Sequence, residues 1–349
     1  MTTQSAQPVT TNPTLTDQVT RMYDMIGGYH ATHLLEIARE LGVWEAITAS
    51  PGITSKELAS TLKTDEYYTD VLCRTAFSLA LLDRDGAGWR MAPHLDRILG
   101  DSESSFYLAD FARVHMMVGE DYSDYPSLFR SGGVRPYQEH GEAFMAAVAS
   151  ATKALPTIVL DLALPSLPLV KERLEAGCNV LDVGCGAGWA LVQFARRFAG
   201  VTCTGVDVEP HSVKLAQRLI ASEDLEDRCQ ARLAGAEDLA EAGAYDIAMS
   251  FLVIHEIEPQ KKPAAFEAVA RALKPGGYFL IFDEAYPETD TALRTMPARF
   301  AALAQWYELT WGNRVNTRTE LHALCRSAGL EVVEETAFSR FHILVAKKP

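Results

Sequence analysis

Three glycines at alternate positions, Gly184, Gly186 and Gly188, follow the apolar run Val180-Leu181-Asp182-Val183. The run reads as a buried parallel strand, and the glycines let the backbone turn sharply and approach a ligand without Cβ clashes. A helix-competent segment, Ala190–Phe198, comes next, and a helix N-terminus offers free N–H donors to an electron-rich group. Asp207 ends a second short strand, Thr202–Asp207, 19 residues after Gly188. An acid there can accept both hydroxyls of a ribose. Further on, the run Ser250-Phe251-Leu252-Val253-Ile254-His255-Glu256 sets a histidine at the end of another apolar segment. Imidazole titrates near neutral pH, so His255 can take a phenolic or hydroxyl proton. It can also serve as a pocket wall or a metal ligand. A metal site built from His255, Glu256 and Asp283 lacks a second histidine at ligand spacing, and the six cysteines form no C-x-x-C pair. No metal is expected.

The elements that must position these residues alternate from Asn179 onward, the pattern of a parallel sheet covered on both faces. Glu209-Pro210 opens the helix after the second strand. Cys229–Leu233 reads as a third strand, Ile247–Phe251 as a fourth, and Tyr278–Phe282 as a fifth after the turn Lys274-Pro275-Gly276-Gly277. Thr317 and Glu320 form a capping box, with Gly329 as the stop signal of that helix. The segments 331–337 and 341–346 close the sheet as an antiparallel pair. Residues 17–100 read as helices ending in a small hairpin: a helix bearing Leu34, Leu35, Ile37, Leu41 and Trp44, a short one capped by Thr54 and Glu57, a longer one capped by Asp65, and the wing 83–91. Residues 101–176 read as helices, 106–117, 142–151 and 157–174, around a loop at 121–135, roofing the site.

The stretch Val180–Gly188 resembles motif I of the class I S-adenosylmethionine (SAM) dependent methyltransferases, whose loop wraps the methionine end of SAM. Spacing alone also admits a nicotinamide enzyme, but Gly186-Ala187-Gly188-Trp189 lacks the glycine placement of the dinucleotide fingerprint. The resemblance implies a Rossmann-like α/β fold with a seven-stranded sheet ending in a reversed strand. It implies that Gly184, Gly186 and Gly188 shape the methionine pocket, that Asp182 orients the loop or a water near the ammonium group, and that Asp207 holds the ribose. Ser250 and Phe251 border the cofactor. Ala236 and Glu237 face adenine, although Gly235 stands where the family has an aspartate. The run through His255 resembles the Leu-His-Asp-Trp motif of plant-type small-molecule O-methyltransferases, whose histidine is a general base; Ile257 replaces the tryptophan. In those enzymes a carboxylate after the fifth strand steadies the base, which implies Asp283, and a second acid aligns with Val315. His115, Tyr125, Glu256, Trp306 and Trp311 are candidate substrate walls, with core or interface packing as the plainer reading of each.

The winged-helix arrangement of the N-terminal part admits two uses. A DNA reader needs Arg, Lys, Asn or Gln on its third helix, and this one starts with Asp65, Glu66 and Asp70. The aromatic-rich first helix, with Met22, Tyr23 and Ile26, favours a homodimerisation module. A net charge of −14 over 349 residues argues against nucleic acid or an anionic membrane as partner. No uninterrupted membrane-length apolar stretch is seen, and residues 1–16, rich in Thr, Gln, Ser and Pro, read as a flexible tail. The cysteines read as small buried hydrophobes in a reducing cytoplasm. The expected organisation is a tail (1–16), a dimerisation domain (17–100), a helical roof (101–176) and a SAM-binding domain (177–349). The expected chemistry is methylation of a small molecule, most readily at a hydroxyl. N- or C-methylation on the same scaffold and a SAM-binding regulator are the alternatives.

Overall fold

A computed structural model describes residues 12–338 and 341–349. The chain forms two compact units, one of residues up to Asp124 with Ser150–Ala154, the other of Tyr125–Ala149 and Leu155–Pro349. The stretch expected as a separate roof over 101–176 is thus divided between them. Of the tail expected over 1–16, residues 1–11 lie outside the described residues. The rest is shorter than expected, because Thr14 and Asp17 form a capping box that starts a helix at Leu15.

In the first unit that helix, α1 (Leu15–Glu40), is followed by α2 (Val43–Ala49), α3 (Ser55–Leu62) and α4 (Glu66–Ser78). The antiparallel hairpin of β1 (Leu82–Asp85) and β2 (Gly88–Met91) comes next; the single helix expected to carry Leu34 through Trp44 is instead broken before left-handed Gly42 into α1 and α2. Trp44, Ile47, Leu58, Cys73, Leu82 and Trp89 are its fully buried centre. Both indoles are satisfied, Trp44 donating to the Leu35 carbonyl and Trp89 to the Ser55 hydroxyl. A further helix, α5 (Ala109–Asp121), packs along α1, where Arg39 pairs with Asp110 at 3.4 Å. The other face of α1 is apolar: Met22, Tyr23, Met25, Ile26 and Tyr29 are 50–70 % exposed.

The second unit is built on a seven-stranded sheet in the order β5-β4-β3-β6-β7-β9-β8. Its strands are β3 (Asn179–Val183), β4 (Thr202–Asp207), β5 (Cys229–Leu233), β6 (Tyr245–Phe251), β7 (Leu273–Glu284), β8 (Glu331–Phe338) and β9 (Phe341–Lys347). The first five pair in parallel, while β9 runs antiparallel to both β7 and β8. The reversed strand is therefore present. Strand β7 is longer than predicted: the glycine turn at 274–277 is absorbed into it opposite a bulge between Tyr245 and Ile247. Alternation along β7 sends Leu280 and Phe282 to one core and Phe279 and Ile281 to the other. The helices that cover the faces include α6 (Trp189–Arg197), α7 (Pro210–Ser222), α8 (Lys262–Ala272), α9 (Met296–Tyr307) and α10 (Arg318–Ser327).

The segments before the sheet depart from expectation at their prolines. The loop predicted over 121–135 contains a short helix, Tyr125–Ser131, with Pro126 in its first turn, a position proline tolerates. The helix predicted over 157–174 breaks into a π turn (Val159–Ala163), a 3-10 turn (Leu164–Ser166) and a helix from Pro168, because Pro165 and Pro168 cannot donate to an α-helical ladder. The helical run Glu142–Ser166 is long and apolar enough to cross a membrane, with 39 % of its most apolar window buried. By length and composition alone this does not set it apart from a core helix of a protein interior. Lys153 and Asp161 interrupt the run, so it is not an uninterrupted apolar stretch. Leu160, Ala163 and Leu164 of this run join the core beneath the sheet.

Gly205 shows how tightly the sheet and its first helix meet. A Cβ there would stand 2.7 Å from the Cys185 side chain and 2.8 Å from Leu191 of α6. Gly205→Ala is expected to lower unfolding stability by about 1–3 kcal/mol, read by chemical denaturation against the unaltered chain.

Candidate active site

Neighbouring strands β3 and β6 send their following connections to opposite sides, β3 toward β4 and β6 toward β7. That reversal opens a crevice beyond their C-terminal ends, where α/β sheets bind ligands. Both chemistry-bearing segments start there, the glycine loop after β3 and the histidine loop after β6. Gly184, Gly186 and Gly188 all have positive φ, +72°, +51° and +82°, conformations that side chains resist. The loop is pinned to the neighbouring strand by Gly184 and Cys185, whose N–H groups both donate to the Val206 carbonyl. A Cβ on Gly184 would stand 2.4 Å from Val253, and one on Gly188 would stand 2.9 Å from Ala216. Gly186 differs: nothing lies within 4 Å of where its Cβ would be. Its empty side faces open space, so the loop leaves a cradle that a side chain would fill. Leu252, at φ +59°, holds the opposing loop in a left-handed turn that few non-glycine residues adopt.

The cradle ends at Asp207. One carboxylate oxygen accepts the Gly186 N–H and the other the Glu209 N–H, each at 2.8 Å. Burial raises this carboxyl, and those two N–H donors oppose the rise. Each oxygen keeps a second lone pair for an incoming hydroxyl. Val208 and Leu233, more than half exposed at adjoining strand ends, flank it with apolar surface suited to a flat ring. Neither was singled out by sequence, since an apolar residue at a strand end carries no signal of its own. Ala236 and Glu237 lie on a 3-10 turn (Ala236–Asp238). A Cβ on Gly235 would stand 2.7 Å from the Glu237 carboxylate and 3.1 Å from that of Asp238, so a side chain at 235 would need those two flexible ends to move aside. Glu237 lies 3.8 Å from Lys261. Asp182 is buried in β3, and its carboxyl rises to about 8 through burial and the nearby Asp207. Ser250 is fully buried, with no hydrogen-bond partner for its hydroxyl among the described residues. Phe251 is half-buried and its ring packs on Phe194 and Phe282, a core position on the face away from Ser250. A glycine cradle, a ribose-competent acid, an apolar cleft and an orphaned buried hydroxyl together fit the groups of SAM.

His255 is buried at the start of the histidine loop. Its Nδ1 meets Asp283 Oδ1 at 2.5 Å, and its own N–H donates to Asp283 Oδ2 at 3.2 Å. Nε2 faces Glu308 Oε2 at 3.4 Å. Burial alone would push the imidazole down; the carboxylates of Asp283 and Glu308 outweigh it and lift His255 to about 10. Burial also raises Glu308, against the pull of His255 and of Asn313, whose amide donates to it. Half-buried Glu256 rises to about 8 by burial, opposed by His255 and reinforced by Glu308. Sequence alignment set the second acid at Val315. Val315 is instead buried, its N–H donating to Gln305, and the carboxylate at the histidine is Glu308, seven positions earlier. Glu308 follows the last residue of α9 and precedes a 3-10 turn (Leu309–Trp311). That irregular junction defeats alignment by motif spacing.

The candidate substrate walls separate. His115 lies exposed on α5 in the first unit. Tyr125 is buried, and its hydroxyl donates to the carbonyls of Trp306 and Tyr307. It anchors the end of α9, which differs from the wall expected. Trp306 is 46 % exposed, with its ring against Tyr125 and Phe129. Trp311 is buried among Tyr137, His140 and Phe144. From that cluster Tyr137, which sequence did not select, reaches the site. Burial raises its hydroxyl well above the usual value, and Glu256, Asp207, Glu209 and Glu308 raise it further.

Comparison with known proteins agrees with the fold. Residues 180–277 match the family described as a methyltransferase domain, and residues 23–99 match the O-methyltransferase dimerisation domain. O-methyltransferase resE of Aspergillus sclerotiorum is 32 % identical over 163 residues, 46 % of this chain and 58 % of that protein. The chain spans less than two thirds of the length of this and the other foremost curated relatives. Among solved structures, human N-acetylserotonin methyltransferase in complex with SAM superposes with a TM-score of 0.77 at 18 % identity, covering 100 % of this chain and 99 % of that one. An O-methyltransferase family protein from Burkholderia thailandensis gives 0.72 at 22 % identity, covering 95 % and 98 %. These two likenesses establish the fold.

Removing the carboxylate that closes the cradle tests the cofactor site. Asp207→Ala is expected to weaken SAM binding by about 10- to 100-fold, the loss of charge-assisted hydrogen bonds to two hydroxyls. Calorimetric titration reads this directly, and unchanged affinity would remove Asp207 from the site.

Proposed function

Since the chain belongs to the class I SAM-dependent methyltransferases that carry an N-terminal dimerisation domain, we propose that it methylates a small molecule at a hydroxyl oxygen with His255 as general base. The observation that carries this reading is the contact of Nδ1 with Asp283 at 2.5 Å, beside the glycine cradle at the sheet's switch point. Bound SAM supplies an electrophilic methyl group on its sulfonium. The chain's part is to hold an acceptor in line with it and to take the proton that the acceptor loses.

Asp283 fixes the ring orientation and keeps the proton on Nδ1, so Nε2 is the nitrogen that meets the acceptor. Glu308, facing Nε2, stabilises the imidazolium once the proton has arrived. Asp207 and the glycine loop hold the cofactor, and Glu256 and Tyr137 border the acceptor. The exposed apolar face of α1 supports a homodimer through the first unit. Six free buried cysteines support a reducing, cytoplasmic setting.

One observation favours a second reading. His255, raised to about 10, is charged at neutral pH and takes a proton only after losing one. An amine or carbon acceptor on the same scaffold would not need it as a base.

The pH profile separates the two readings. A base must be neutral, and its pKa is raised, so hydroxyl methylation should climb with pH along a limb that lies well above pH 6.5. Glu308→Gln removes one carboxylate that raises the pKa, so the limb should move down. His255→Ala should lower kcat by about 10²- to 10⁴-fold. Near wild-type turnover in His255→Ala, or a flat profile, would favour the second reading. Sedimentation should find a dimer, and substituting Met22 and Ile26 by Glu should yield monomer; a wild-type monomer would end the dimer proposal.

A further inference from the structure

Seven residues after His255, Lys262 opens α8 with its side chain in the interior, 3 % exposed. A buried ammonium is costly unless a carboxylate compensates it closely. Among the described residues Nζ has no carboxylate at ion-pair distance. It donates instead to the Arg314 carbonyl at 2.7 Å and to the Asn316 side-chain oxygen at 3.2 Å. Burial pulls its pKa down to about 8, and the attraction of Asp283 limits the fall.

Both of its partners lie in the segment that follows Glu308. The Arg314 N–H donates to the His255 carbonyl at 3.1 Å, so residue 314 is held on one side by the histidine and on the other by Lys262. Asn316 is held likewise: its carbonyl accepts the N–H of Tyr286, two residues beyond β7, and its side chain accepts from Lys262. Asn313, one residue before the clamp, donates to Glu308 Oε2 at 3.4 Å. Gln305 of α9 closes the circuit, accepting from Val315 and donating to the Asn313 carbonyl.

We propose that Lys262 is a positioning residue: by tying Arg314 and Asn316 it seats the segment after Glu308 against the histidine loop and sets that carboxylate opposite Nε2. The proposal rests on the reading of His255 as base and adds to it the part that keeps the second acid in place. A neutral apolar side chain would fill the space of the lysine at a lower desolvation cost, yet it would free the Arg314 carbonyl and the Asn316 amide inside the protein. The groups that face His255 are Asp283 from β7, Glu308 after α9 and Glu256 from its own loop. Lys262 acts on it through Asp283 and the clamp, while the Arg314 guanidinium pairs with Glu320.

The test is a double-mutant comparison on the full chain, with His255 titration followed by NMR of histidine-labelled protein. In the wild type, Glu308→Gln should lower the His255 pKa by about one unit or more. In Lys262→Met the same change should have less than half that effect, and the Arg314 amide should exchange at least tenfold faster. Lys262→Arg should recover part of both. An equal Glu308→Gln shift in the two backgrounds would overturn the proposal. Should Lys262→Met not fold, Asn316→Ala, with the lysine retained, is expected to speed Arg314 exchange to a smaller degree. Unchanged exchange there would overturn the proposal as well. Neither readout needs cofactor, so a wild type that failed to bind SAM would sink the methyltransferase reading and leave this test standing.

Discussion

An imidazole buried between carboxylates from two elements is the constraint on which this site is built. Such a cluster is unfavourable in the interior unless nearly every polar atom is matched, because desolvation of each charge exceeds what an imperfect pair returns. Asp283 is therefore occupied on both oxygens, by the ring and backbone of His255 and by the Glu284 N–H. Glu308 is steadied by Asn313. The requirement spreads outward. The turn after α9, the start of α8 and the end of β7 are all tied into the hydrogen bonds around the histidine. The left-handed turn at Leu252 and the close approach of Val253 to Gly184 link this cluster to the glycine cradle. The glycine cradle and the histidine cluster thus share one crevice.

The cofactor half of the site was legible in the sequence because its determinants are local. A glycine loop between a strand and a helix needs positive φ at fixed offsets, and the next strand end supplies the acid; neither depends on distant packing. The strands and the capped helices were readable for the same reason. His255 and Asp283 could be named because each sits at a strand end, and neighbouring parallel strands bring such ends together. Glu308, Lys262 and Tyr137 carry no such mark. They reach the site from a helix-to-turn junction, a helix start and a 3-10 turn: Glu308 meets a histidine 53 residues away, Lys262 holds partners 52 and 54 residues away, and Tyr137 faces carboxylates far from it in sequence. Tyr125 follows the plainer of its two readings: it is buried, and its hydroxyl anchors α9.

Gly235, where an aspartate was expected, is followed closely by two acids. The carboxylates of Glu237 and Asp238 lie over the place of its missing side chain. Acidity at this strand end is kept, but it comes from the following turn. The first unit presents a different economy: its small core is closed by Trp44 and Trp89, while the long α1 leaves a continuous apolar face outside it. That surface is what a monomer would be expected to avoid.

The most direct test of the account is methyl transfer from SAM carrying a deuterated methyl group to a panel of small aromatic and aliphatic alcohols, phenols and amines. Mass spectrometry would read which atom gains the label. The account predicts labelled O-methyl product from a hydroxyl acceptor, abolished in His255→Ala. Label found only on nitrogen or carbon, with the histidine dispensable, would contradict it.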